Sequence, residues 1–183
     1  FGKSALETIL DNAVDEVVAV YCAPDKGDRV DPIKEFALEK GLAVMQPDNF
    51  KDQAVLDEMR AFEADLCVMA YVIIFVPEEA RDIPTHGSIC FHPSLLPLHR
   101  GPSSINWPIM WGATKTGLSY FWPDDGLDEG EILLQKEIDS GPDDTIGSVY
   151  FDKVFPVGLQ ATLEAIDLVR AGNPPKIVQD HSK

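Results

Sequence analysis

Ser88–Gly112 reads SICFHPSLLPLHRGPSSINWPIMWG. The apolar run SICF ends on His92, and Pro93 and Pro97 stiffen the chain immediately afterwards. Each proline fixes its own φ and biases the residue before it towards extended backbone. The stretch is therefore expected as a buried strand, a rigid loop, and a short helix beginning near Ser103 or Ser104. In open α/β sheets, ligands bind beyond the carboxyl ends of the strands, which is where His92 would stand. A rigid loop that merely carries a histidine is the plainer alternative at this point.

The residues before this stretch alternate between two periods. KSALETILDNA has helical spacing, and EVVAVYC is a β-branched run bounded by Pro24 and Gly27. DPIKEFALEKG reads as a helix with Asp31 as N-cap, Pro32 in the first turn and Gly41 as the stop. LAVMQP is expected as a strand, DQAVLDEMRAFEA as an amphipathic helix, DLCVMAY as a strand, and PEEARDI as a short helix. Strand and helix in alternation, with apolar strands, indicate a mostly parallel sheet flanked by helices.

The residues after it follow a different plan. TGLSYFWP and EILLQKEI read as two strands joined by the acidic loop DDGLDEG, hence antiparallel neighbours. A long helical pattern runs from Thr145 to Gly172, bent at Pro156, and NPPKIVQDHSK is expected as a tail. The chain enters a helix directly after Phe1-Gly2, so the first strand of the fold is expected to be absent. We read one domain, residues 1–183, truncated at the N-terminus, with C-terminal truncation left open.

Composition narrows the function. The chain has 183 residues, 45% of them hydrophobic, enough for a core. Its 31 acidic and 15 basic residues give a net charge of -16, which disfavours phosphate backbones and anionic membranes as partners. No apolar run reaches the roughly 18 residues of a membrane span. Cys22, Cys67 and Cys90 are widely spaced without a CxxC pair, the pattern of reduced thiols in a cytoplasmic protein, and zinc is not expected.

Two residues suit general acid–base work: His92, and Asp128 in DDGLDEG. A carboxylate beside an imidazole fixes its tautomer and stabilises its protonated form. DDGLDEG is equally a good acidic turn, and His86, His99 and His181 read as loop or tail histidines without a role. No nucleophile elbow, phosphate loop or HExxH motif is present.

HPSLLPLHRGPSSINW resembles the signature of the formyltransferase family that uses 10-formyltetrahydrofolate, and DDGLDEGEILLQ is similar to that family's second signature. HPSLLPLHRG, SINW, FWPDDGLDEGEILLQKE and PDDT look most like the hydrolase domain of 10-formyltetrahydrofolate dehydrogenase. The resemblance implies a Rossmann-like formyltransferase fold and an enzyme with 10-formyltetrahydrofolate as co-substrate, no metal, and water or a small molecule as acceptor. It implies His92 and Asp128 as catalytic residues acting through a tetrahedral intermediate. It places the pterin against the Tyr71 to Val76 segment (Tyr71, Ile74 and Val76) and against Asp124 and Asp125, with Leu95, Leu96 and Pro97 as the floor. One departure stands out: Cys90 occupies the place of the family's usual Asn, and a thiol is a weak donor. Methionyl-tRNA formyltransferase, sugar-nucleotide formyltransferase and a non-catalytic folate-binding fragment are the alternatives. The short, charge-balanced loop CAPDKGDRVDP and the acidic surface weigh against tRNA.

Overall fold

The computed structural model describes residues 1–27, 30–72 and 74–182; Asp28, Arg29 and Ile73, which fall in two of the segments read above, lie outside the described residues. The chain divides into two compact units, residues 1–88 and 89–183.

The first unit follows the alternation read from the sequence. Helix α1 (Gly2–Asn12) precedes strand β1 (Val20–Tyr21), helix α2 (Pro32–Glu39), strand β2 (Val44–Met45), helix α3 (Gln53–Ala61), strand β3 (Cys67–Met69) and the short helix α4 (Glu78–Arg81). Asp31 caps α2, its side chain accepting from the Ile33 amide at 3.0 Å, with Pro32 in the first turn where no donor is lost. Strands β1 and β2 pair in parallel, Val20 opposite Val44. Leu6, Val20, Phe36 and Ala37 form one apolar cluster of this unit, and Phe50, Leu56 and Ala80 another.

In the second unit the ladder turns antiparallel. Strand β4 (Ser88–His92) begins at the unit boundary, helix α5 (Asn106–Met110) follows the proline-rich loop, and strands β5 (Lys115–Phe121) and β6 (Ile132–Asp139) form a hairpin. Strand β5 pairs antiparallel with both β4 and β6. A π-helical segment, Ser148–Val154, leads into helix α6 (Phe155–Arg170). Gly158, Ala161, Thr162, Ala165, Ile166 and Val169 make a buried stripe on α6, which packs against β5 and β6. Small residues on that stripe permit close approach, and Thr162 meets the buried Tyr120 hydroxyl at 2.6 Å. Leu118, Val149 and Val154 are fully buried, each contributing about 1.5–3 kcal/mol.

The π turn corrects the expectation of a single helix bent at Pro156. That proline lies in the first turn of α6, and the irregularity precedes it. The final segment is not a free tail either. Ile177 exchanges both backbone hydrogen bonds with Ile132, at 2.8 and 3.0 Å, and Trp122 donates its indole N–H to the Pro175 carbonyl at 2.9 Å.

Candidate active site

Side chains alternate across a strand, so β4 presents Cys90 and His92 on one face and Phe91 on the other. Phe91 packs against Tyr120, ring centroids 5.6 Å apart. On the opposite face the register sets His92 beside Ser119, and Ser119 beside Gln135. That polar row anchors the loop that leaves His92. The buried Ser119 hydroxyl donates to the Ser94 carbonyl (2.7 Å) and accepts from the Leu96 amide (3.1 Å) and the Gln135 amide (2.9 Å). Gln135 also donates to the Leu96 carbonyl at 2.8 Å. Ser94 itself donates to the Leu98 carbonyl at 2.6 Å. The loop is thus tied at several backbone atoms, with Leu96 sunk against Phe121, Ile132 and Cys90.

The far end of this loop returns to His92. The His99 backbone is left-handed, φ 57°, and its carbonyl lies 2.9 Å from His92 Nε2. A carbonyl can only accept, so Nε2 carries the hydrogen and the proton chemistry falls to Nδ1. Asp128 Oδ2 stands 3.4 Å from Nδ1, and the same oxygen accepts the Gly101 amide at 2.7 Å. Asp128 is also left-handed, φ 54°, a conformation that an aspartate tolerates better than most residues. Gly101 needs its glycine: φ is 74°, and a Cβ there would meet Leu127 at 3.1 Å. His92 is buried, 7% exposed, so the pair operates in a partly dry setting where charge interactions strengthen.

A cavity of about 490 Å³ opens beside the same loop, lined by Pro97, Leu98, His99, Arg100, Trp107 and Trp111. The Trp111 ring lies 5.3 Å from His99 and 5.8 Å from Trp107. Burial, and then the neighbouring His92, hold the His99 imidazole below its ordinary range.

The structure brings His92, Asp128, Cys90, Leu95, Leu96 and Pro97 into the second unit around this loop. Asp124 and Asp125 are exposed on the β5–β6 connection, where Asp124 accepts the Gly126 amide at 2.9 Å. Tyr71, Ile74 and Val76 belong to the first unit; Tyr71 and Ile74 are exposed, and Val76 packs with Phe50, Leu56 and Ala80. Cys90 is half-buried and not in a disulfide. Sequence reasoning missed Ser119, Gln135 and Gln179, and gave no role to His99, whose carbonyl orients His92. The signal for Ser119 was present: a small polar residue between Leu118 and Tyr120 inside an apolar strand. Among the described residues no group of three or more His, Cys, Asp or Glu is placed to hold a metal ion, and no helix is long and apolar enough to cross a membrane.

Comparison with known proteins gives the family and the fold. Residues 2–166 match the formyl transferase family. The chain is 41% identical over 184 residues to the cytosolic 10-formyltetrahydrofolate dehydrogenase of Xenopus tropicalis, covering 98% of this chain and 20% of that protein. It is 38% identical over 171 residues to the methionyl-tRNA formyltransferase of Fusobacterium nucleatum subsp. nucleatum, covering 90% of this chain and 55% of that one. The chain therefore spans about a fifth of the length of the dehydrogenase it matches. In fold it superposes on glycinamide ribonucleotide transformylase 1 from Symbiobacterium toebii with a TM-score of 0.79 at 22% identity, covering 97% of this chain and 90% of that one. The α/β fold expected from the sequence is the fold observed.

Proposed function

The chain belongs to the formyl transferase family, and on that premise we propose that it removes the formyl group of 10-formyltetrahydrofolate by acid–base catalysis at His92 and Asp128, with water or a small molecule as acceptor. The observation that carries this reading is the 3.4 Å approach of Asp128 Oδ2 to His92 Nδ1, with Nε2 already committed to the His99 carbonyl. With water as acceptor, its oxygen adds to the formyl carbon and gives a tetrahedral intermediate. A proton on Nδ1 stabilises the developing oxyanion, and the Asp128 carboxylate stabilises the imidazolium. The proton lost by the attacking water passes through Asp128 to the folate nitrogen as its bond to carbon breaks. Formate and tetrahydrofolate leave.

In this reading Leu95, Leu96 and Pro97 form the floor of the site, and the pterin lies against Asp124 and Asp125. Cys90 stands two residues before His92 on the same strand face, in the place of the usual amide donor. A preorganised donor of that kind is worth about 2.7–4 kcal/mol in the transition state. Cys90, a weak donor, does not supply that stabilisation. A cytosolic location is part of the same proposal, supported by the name of the Xenopus relative. Transfer to an aminoacyl-tRNA is the second reading, favoured by the Fusobacterium relative and opposed by the net charge of -16.

The test is release of formate from 10-formyltetrahydrofolate without added acceptor, comparing the chain with its His92→Ala variant. Formate and tetrahydrofolate appearing in equal amounts, and only with His92 present, is the expected result. No release without an acceptor, but release once a formylatable aminoacyl-tRNA is supplied, would replace the hydrolytic reading with the second one.

A further inference from the structure

Gln179, in a segment the sequence reads as a tail, is 4% exposed and has every hydrogen-bonding valence of its amide engaged. Its Nε2 donates to two carbonyls of the β5–β6 connection, Asp128 at 2.9 Å and Gly130 at 2.7 Å. Its Oε1 accepts twice from Arg100, from Nε at 3.2 Å and Nη2 at 2.7 Å. The orientation of the amide is forced. Carbonyls only accept and a guanidinium only donates, so the reversed amide would set like against like at all four contacts.

These partners belong to the two segments that form the acid–base pair. Arg100 ends the loop whose His99 carbonyl holds His92 and whose Gly101 amide holds the Asp128 carboxylate. The Asp128 and Gly130 carbonyls flank the turn that presents Asp128 in its left-handed conformation. Such a backbone is sparsely populated and persists where its surroundings over-determine it. Gly130 sits close against the backbone of Trp122, where a Cβ would lie 1.7 Å from the carbonyl oxygen. The isolated Ile132–Ile177 bridge, two residues from Gly130 and two from Gln179, fixes where the Gln179 amide arrives.

We propose that Gln179 is a positioning residue for the acid–base pair: it locks the Asp128 turn to the His92 loop and so sets the distance between Asp128 Oδ2 and His92 Nδ1. The inference rests on the function proposed above for its catalytic consequence, and on the geometry alone for the positioning. Arg100 also reaches His181 Nδ1 (3.0 Å) and Glu129 (3.8 Å), so it stays held when Gln179 is changed.

The experiment uses the full chain with 15N-labelled histidine, and compares Gln179→Leu, Gln179→Glu and Asp128→Ala. Gln179→Glu keeps the size and the bond to Arg100 but turns an oxygen towards each carbonyl, and it serves should the leucine variant not fold. The expected result has two parts. The His92 Nδ1 resonance moves in the Gln179 variants in the direction it takes in Asp128→Ala. Deformylation kcat falls by about 10²-fold, the scale of an ångström of misplacement, with KM within about twofold. In the Asp128→Ala background, Gln179→Leu should then cost nothing further in kcat. An unmoved Nδ1 resonance would overturn the inference, as would an equal loss of kcat in both backgrounds. A wild-type chain without turnover would defeat the proposed function instead, and the Nδ1 resonance would still decide the positioning.

Discussion

Replacing Ser119 by alanine removes one oxygen and disconnects three segments. The hydroxyl donates to the Ser94 carbonyl and accepts from the Leu96 and Gln135 amides, and Ser119 is fully buried. Gln135 keeps its bond to the Leu96 carbonyl, so the groups stranded are the Ser94 carbonyl and the Leu96 N–H. A buried backbone group left unpaired costs about 1–3 kcal/mol. Alanine spares the desolvation of the hydroxyl, which offsets part of two such losses, and we expect a net destabilisation of about 2–3 kcal/mol. With a urea m-value of about 2 kcal/mol/M, the midpoint should fall by about 1–1.5 M. Tryptophan fluorescence is the suitable probe, since Trp107, Trp111 and Trp122 all lie in the unit that contains Ser119. The same change frees the loop behind His92, so deformylation should drop as well. A midpoint lowered by less than about 0.25 M, equivalent to about 0.5 kcal/mol, would refute the claim that Ser119 is the anchor of this loop.

Gly130→Ala sets a Cβ 1.7 Å from a backbone oxygen; we expect a loss of about 3 kcal/mol or more in urea unfolding, with catalysis reduced because the same turn carries Asp128. Lys153, the Gly141 amide and the Ser148 hydroxyl hold the Asp144 carboxyl at about 2, against 3.8 for the free group. Between those values the unfolded chain binds more protons, so this group's contribution is complete above about pH 4 and disappears towards pH 2. Urea midpoints at pH 5 and pH 3 should therefore diverge more in the wild type than in Asp144→Asn, and equal divergence would contradict the assignment. Cys90→Asn restores an amide on the face it shares with His92; kcat should rise by about 10²-fold, the low end of the range that such donors supply, and an unchanged kcat would show that Cys90 does not border the reacting carbonyl.

Much of the fold was written in local patterns. Asp31-Pro32 announced α2, the run GSICF announced β4, and the acidic loop between TGLSYFWP and EILLQKEI announced an antiparallel hairpin. Strand lengths were not legible: among the described residues the ladder between EVVAVYC and LAVMQP covers Val20–Tyr21 and Val44–Met45. A β-branched run shows what fits a pleated surface, whereas ladder length depends on the partner strand. The π turn at Ser148–Val154 carries no distinct spacing signal, and Pro156 drew attention to the wrong turn. At the site, His92 and Asp128 were legible because their residue types suit the chemistry. The groups that hold them were not. The His99 contribution is a backbone carbonyl, which any residue possesses. Gln179 lies 51 residues from Asp128 and 79 from Arg100 in sequence, and nothing local to NPPKIVQDHSK reveals either contact.

The most direct measurement of the central claim compares Asp128→Asn with the wild type in two assays on the same preparations: turnover of 10-formyltetrahydrofolate and equilibrium binding of tetrahydrofolate. An amide in place of the carboxylate keeps the shape of the turn but can neither stabilise an imidazolium at His92 nor accept the travelling proton. Turnover should fall by about 10²–10⁴-fold while binding stays within a few-fold. Turnover at the wild-type level with binding intact would contradict the assignment of Asp128 and His92 as the acid–base pair.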